Sequence, residues 1–230
     1  MSRIFATSIV ARHSIAENSV EVVFERPHGF EYRSGQYIQL GLRSLLHRDA
    51  KGPSRVLSVS TSPHDTATVA VAFRESDSGF KRTLRQLAPG SEVLIEGPHG
   101  FYTLPRELTR PLVLVAGGIG VVPYVSMLRY LTESGIRIPV PMTLLYANGT
   151  IERAAYLDEL RKTATRAPGF VLRHRLGIID RNFLERNVHD PRGCAWHVSG
   201  PPAMVCHVRN LLFHLRVDEA RICYEEFSGY

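Results

Sequence analysis

With 230 residues, the chain is long for one ordinary domain and comfortable for two. Hydrophobic residues at 44% and charged residues at 22% give a globular balance that excludes disorder. The net charge of +6 points to an anionic partner, but the densest cation groups, Lys81/Arg82/Arg85 and Arg161/Lys162/Arg166, recur at helical spacing without aromatic interleaving, which argues against nucleic acid.

In chain order, the N-terminus from Met1 to Ala6 lacks the apolar core of a signal peptide. No stretch reaches the roughly 20 apolar residues that cross a bilayer, so membrane insertion is not expected. Alternating runs then follow as predicted strands: Ser19 to Glu25, Gly35 to Leu40, Arg55 to Ser60, Thr68 to Phe73 and Glu92 to Glu96. Pro27-His28-Gly29 and Pro89-Gly90 punctuate them, and Gly79 to Leu87 is the one helix predicted here, with Phe80, Leu84 and Leu87 on a face. Short strands between turn signals predict an antiparallel Greek-key β-barrel.

After Arg110 the rhythm changes. Leu112-Val113-Leu114-Val115 is continuously apolar, as in a strand buried on both faces. A glycine turn follows, then a helix with Tyr124, Met127, Leu128 and Leu131 on one face. Further strands are predicted at Met142 to Tyr146, Phe170 to Leu176, Ala195 to Ser199 and Arg221 to Glu225. Helices are predicted between them, at Arg153 to Thr165, Arg181 to Glu185 and Pro202 to Leu215. Such alternation implies an α/β domain with a parallel sheet. The boundary falls in Leu104 to Arg110, dividing the chain into 1–104 and 105–230. Cys194, Cys206 and Cys223 are three unpatterned thiols, which suggests a reducing, cytoplasmic setting.

Three segments carry the chemistry. Gly117-Gly118-Ile119-Gly120-Val121-Val122-Pro123 lies between a buried strand and a helix, where backbone N–H groups can meet a phosphate. Pro123 stands where the usual dinucleotide fingerprint has its third glycine. A second strand ends in Ser199-Gly200-Pro201-Pro202-Ala203-Met204, again at a helix entrance. In the barrel, Arg55-Val56-Leu57-Ser58 combines a phosphate-pairing guanidinium with a hydroxyl, a composition that an ordinary edge strand also has.

Together these segments resemble the ferredoxin–NADP reductase-like flavoproteins, which join a flavin-binding β-barrel to a nicotinamide-binding α/β domain. The resemblance runs from Gly35-Gln36-Tyr37 to Gly229-Tyr230. It implies that Arg55 holds the flavin phosphate, that Val56 and Leu57 line the flavin, and that Ser58 lies near its reactive edge. Leu57 departs from the aromatic residue of the family motif. Gly79, Lys81 and Thr83 correspond to the second phosphate-binding segment, and Glu96 to Phe101 to the turn closing the barrel. Gly117, Gly118, Gly120 and Pro123 match the nucleotide pyrophosphate site. Ser199, Gly200, Pro201 and Met204 match the family's Cys-Gly-Pro segment beside the nicotinamide, with Ser199 replacing cysteine. The closing segment of oxygenase-reductase relatives places an aromatic against the flavin, here Phe227 or, less directly, Tyr230.

The resemblance implies hydride transfer between NADH or NADPH and bound FAD, or FMN in its place, with electrons passed to a separate carrier such as a ferredoxin, another iron–sulfur protein or an oxygenase component. Ser58 and Phe227 are the residues placed at the reacting ring, and Glu225 or Glu226 is a candidate for nicotinamide placement. Gly149 stands where an arginine often follows Asn148, which favours NADH. Two alternatives share these motifs: a reductase of free flavin, and a flavin-binding module without turnover. No four-cysteine iron–sulfur spacing is present, and Cys194-Ala195-Trp196-His197 lacks a second ligand pair, so no metal site is expected.

Overall fold

A computed structural model describes residues 3–105, 107–133, 138 and 140–227. The chain forms two compact units: Met1–Thr103 with Val122–Tyr130, and Leu104–Val121 with Leu131–Tyr230.

The first unit is an antiparallel sheet of six strands: β1 (Arg3–Ala16), β2 (Ser19–Glu25), β3 (Tyr37–Leu42), β4 (Ser54–Ser58), β5 (Thr68–Arg74) and β6 (Glu92–His99). Their order is β4-β3-β6-β1-β2-β5. A bridge between Val59 and Val71 joins the two outer strands and closes the barrel. Strand β6 returns beside β3 after β4 and β5, which is the Greek-key connection. Alternating burial along β3 and β6 puts Ile38, Leu40, Val93 and Ile95 in the core, as a sheet with one inward face requires. Helix α1 (Gly79–Gln86) covers this unit with Phe80 and Leu84.

Strand β1 is not legible in the sequence pattern. Its pairing with β2 slips between Ile9 and Ala11 and again between Ser14 and Ala16. Each bulge breaks the period of two, so no uniform alternation is left to read.

Residues Val122–Tyr130 begin helix α2 (Val122–Glu133) and group with the barrel. Ser126 Oγ donates to Thr61 O at 2.6 Å. Arg129 Nη1 pairs with Glu21 at 3.2 Å and donates to Ser60 O at 3.0 Å.

The second unit is a parallel sheet of β7 (Leu112–Gly117), β8 (Met142–Asn148), β9 (Phe170–Leu176), β10 (Ala195–Gly200) and β11 (Ile222–Glu226). Its order is β11-β10-β7-β8-β9. Every residue of β7 is buried, as its unbroken apolar run predicts for a central parallel strand. Helices α3 (Leu157–Arg166), α4 (Arg181–Asn187) and α5 (Pro202–His214) connect the strands. Trp196, Val205, Val208, Leu212 and Leu184 share one core. Among the described residues no helix is long and apolar enough to cross a membrane.

Candidate functional site

In the first unit, Arg55 and helix α1 define an anion-binding arrangement, and a side chain of the protein itself occupies it. Arg55 Nη2 pairs with Asp49 Oδ1 at 2.5 Å, and the two side chains are only 14% and 6% exposed. Asp49 Oδ2 accepts from the Phe80 backbone N–H at 2.9 Å and from Ser78 Oγ at 2.7 Å. Lys51 N donates to Asp49 Oδ1 at 2.9 Å. The Phe80 N–H above all, then Ser78 and Lys51, hold the Asp49 carboxyl far below the usual carboxylate range. Arg55 Nη1 donates to the carbonyls of Ser54 (2.6 Å), Gly52 (3.1 Å) and Lys51 (3.2 Å).

The neighbouring residues are engaged by the same loop, 43–53. Thr83 Oγ1 accepts from Leu46 N (3.1 Å) and His47 N (3.2 Å). A side chain on Gly79 would run into the backbone carbonyls of His47 and Arg48, so glycine is required for the loop to lie on the helix start. Lys81 turns inward: its Nζ donates to Arg74 O at 2.8 Å, and burial lowers its pKa to about 8. In β4, Val56 is 58% exposed, whereas Leu57 is 7% exposed and belongs to the barrel core; Ser58 is also buried. The following hydroxyls are taken up internally, Ser60 Oγ by Glu21 at 2.7 Å and Thr61 Oγ1 by Tyr32 OH at 2.8 Å.

In the second unit, strand order reverses between β7 and β10, where the carboxyl ends of an open α/β sheet form a ligand crevice. Gly117 ends β7, a 3-10 turn spans Gly118–Val121, and Pro123 stands in the first turn of α2. A Cβ on Gly120 would sit 2.5 Å from Ser199 O and 2.6 Å from Gly200 Cα; one on Gly117 would meet the Met204 sulfur. The glycines therefore let the turn close against β10 and the start of α5. Gly200 has φ +155, and Pro201 caps α5. Phe227 N donates to Gly200 O at 3.0 Å, which brings the segment after β11 to the end of β10. Tyr230 lies outside the described residues.

Three polar atoms on this carboxyl edge are buried with no hydrogen-bond partner among the described residues: Asn148 Oδ1, Ser199 Oγ and Glu225 Oε2. Asn148 ends β8, Ser199 and Glu225 each stand one residue before the ends of β10 and β11, and Ser199 and Glu225 are register partners. Leaving a buried polar group unsatisfied costs about 1–3 kcal/mol, so the adjacent pair Ser199 and Glu225 in particular marks a position where a ligand could supply the missing partners. Burial raises the Glu225 pKa to about 7, so near neutral pH part of the population carries a protonated carboxyl that could donate as well as accept. Burial also lowers the His197 pKa to about 4, which keeps the ring neutral.

The signature of an oxidoreductase NAD-binding domain matches residues 114–210. The 2-halobenzoate 1,2-dioxygenase electron transfer component of Burkholderia cepacia is 28% identical over 211 residues, covering 86% of this chain and 59% of that protein. Ferredoxin–NADP reductase B of Sorangium cellulosum is 28% identical over 163 residues, covering 70% and 64%. Among solved structures, the Amycolatopsis cytochrome P450 reductase GcoB superposes with a TM-score of 0.83 at 22% identity, covering 98% of this chain and 70% of that one. The FAD/NAD-binding domain of nitric oxide dioxygenase from Vibrio cholerae gives 0.81 at 19% identity, covering 96% and 98%. These matches define an antiparallel barrel joined to a nucleotide-binding α/β domain. Residues 114–210 thus match an oxidoreductase NAD-binding domain, and the chain shares its two-unit fold with the ferredoxin–NADP reductase-like proteins. It spans 39–59% of the length of the first curated relatives it matches.

Asp49 is the residue that sequence reasoning missed. Its partner Phe80 is 31 positions away, and nothing in the local pattern of loop 43–53 marks the contact. Asn148 and Glu225 were visible as family positions, but not as unsatisfied groups.

Proposed function

We propose that this chain is a cytoplasmic NAD(P)H-dependent flavoprotein reductase. Residues 1–104 take the flavin, FAD or in its place FMN, and residues 105–230 take the nicotinamide nucleotide. Electrons pass to a separate carrier such as a ferredoxin, another iron–sulfur protein or an oxygenase component. When bound, the two cofactors supply the hydride chemistry, and the protein supplies orientation and electrostatics.

The observation that carries this reading is the set of three buried oxygens without a partner among the described residues, Asn148 Oδ1, Ser199 Oγ and Glu225 Oε2, at the carboxyl edge of the parallel sheet. A nicotinamide carboxamide offers both a donor and an acceptor, which suits the Ser199 hydroxyl and a Glu225 carboxyl that is part-protonated at neutral pH. Asn148 is placed for the adenosine side, with Gly149 beside it favouring NADH. Gly117, Gly118 and Gly120 give the pyrophosphate a turn without side chains, Pro123 sets the helix start behind it, and Gly200, Pro201 and Met204 form the opposite wall. In the barrel, the donor set of Arg55, Ser78 and the Phe80 N–H suits an anionic oxygen, since a carboxylate already stands there. Gly79, Lys81 and Thr83 flank it, the exposed Val56 of β4 is assigned to the isoalloxazine while Leu57 packs in the core behind it, and Ser58 and Phe227 are assigned to the ring's reactive edge.

Mixing the purified chain and flavin anaerobically with NADH or NADPH tests the proposal. Flavin absorbance is expected to bleach, faster with NADH; no bleaching by either nucleotide, with FAD and FMN each supplied, would overturn it. A second reading, reduction of freely exchanging flavin, is favoured by one observation: Asp49 already holds the donors that a flavin phosphate needs.

A further inference from the structure

We infer that Asp49 is an internal competitor for the flavin phosphate, so that the chain as folded takes a phosphate-free isoalloxazine in preference to FMN or FAD. The inference rests on the reading that the barrel binds a flavin ring.

Loop 43–53 engages three of the residues assigned to the phosphate. Arg55 gives Nη2 to Asp49 and Nη1 to the carbonyls of Lys51, Gly52 and Ser54. Thr83 Oγ1 is held by Leu46 N and His47 N, and Gly79 lies beneath the carbonyls of His47 and Arg48. The carboxylate also takes the Phe80 N–H and the Ser78 hydroxyl.

A phosphate placed here meets two obstacles. Its donors are already committed, and its charge of about −2 would lie beside a second anion with little solvent between them. The phosphate can enter only if Asp49 leaves, and Asp49 leaves only if the loop that Arg55 organises comes apart. Cations around Lys81, namely Arg55, Lys51 and Arg74, would still attract a phosphate once the carboxylate had gone. Asp49 thus decides between flavins that differ only beyond the ribityl chain. The isoalloxazine contacts are indifferent to it.

The test is a fluorescence-quenching titration of riboflavin, FMN and FAD against the wild-type chain, Asp49→Asn and Asp49→Ser. In the wild type, riboflavin is expected to bind at least as tightly as FMN and FAD. In both variants, FMN and FAD should gain roughly tenfold or more while riboflavin stays unchanged, because a charge-assisted partner is freed for the phosphate. Tighter binding of FMN or FAD than riboflavin by the wild type would overturn the inference alone, as would variants in which the three flavins keep their ranking. If riboflavin, FMN and FAD all fail to bind the wild type, the flavin reading falls and this inference with it. The wild-type ranking decides the matter even if neither variant folds.

Discussion

Glu225 has a folded-state pKa of about 7 against an ordinary value of 4.5, and the shift comes from burial. Between those values the folded chain keeps a proton that the unfolded chain has released, so stability falls as pH rises through this window. Glu225→Gln removes the penalty. It is expected to stabilise the protein by on the order of 1–2 kcal/mol at about pH 8 and to change little at about pH 4.5, as read from urea midpoints. His197 acts in the opposite sense: its pKa of about 4 lies below the ordinary 6.5, so its contribution is complete above that value and is lost as pH falls towards 4. The variant should therefore gain stability from about pH 4 to 6.5, where the wild type stays nearly level. Ser199→Ala removes a hydroxyl that the fold leaves unpaired. It should raise KM for the nucleotide about fivefold without lowering the unfolding midpoint, whereas an unchanged KM would detach Ser199 from the nucleotide.

Helix α1 shows how one short element serves two ends. Ser78 is its N-cap, accepting from Lys81 N at 3.4 Å while donating to Asp49. Ser78→Ala is expected to cost about 1 kcal/mol in thermal or urea unfolding and to loosen loop 43–53 to proteolysis. A variant as stable and as protease-resistant as the wild type would show that the loop is held elsewhere. The helix itself was legible in the sequence, because Phe80 and Leu84 share an apolar face at helical spacing. Its load was not. The Gly79 to Thr83 segment reads as a phosphate site, yet its glycine and hydroxyl are used by a loop some 30 positions earlier. Strand β1 was illegible for a different reason, since two bulges erase its alternation. Helix α3 starts at Leu157, later than its periodicity predicts, because Tyr156 before it adopts a left-handed conformation (φ 58) that a helix cannot contain.

At the scale of the molecule, each unit has its own apolar core, one built on Ile38, Leu40 and Phe24, the other on Trp196, Val198 and Leu212. Trp196 is the chain's one tryptophan, so its fluorescence reports on the parallel-sheet unit. Leu212→Ala, in the same core, is expected to lower that transition by about 2–5 kcal/mol. Nucleotide at a hundredfold excess over its Kd should raise the same transition by about 2.7 kcal/mol; no shift would mean that this unit is not where the nucleotide binds.

By itself the sequence determined the two rhythms of the chain: alternation in the barrel strands, unbroken apolar runs in the parallel ones, and glycines at the turn after β7. Those features follow from period and local geometry, which neighbouring residues alone can express. Tertiary structure decided which polar groups are paired and which are not. Asp49 meets Arg55 and Phe80, while Asn148 Oδ1, Ser199 Oγ and Glu225 Oε2 find no partner among the described residues, because hydrogen-bond satisfaction depends on atoms brought together from distant parts of the chain.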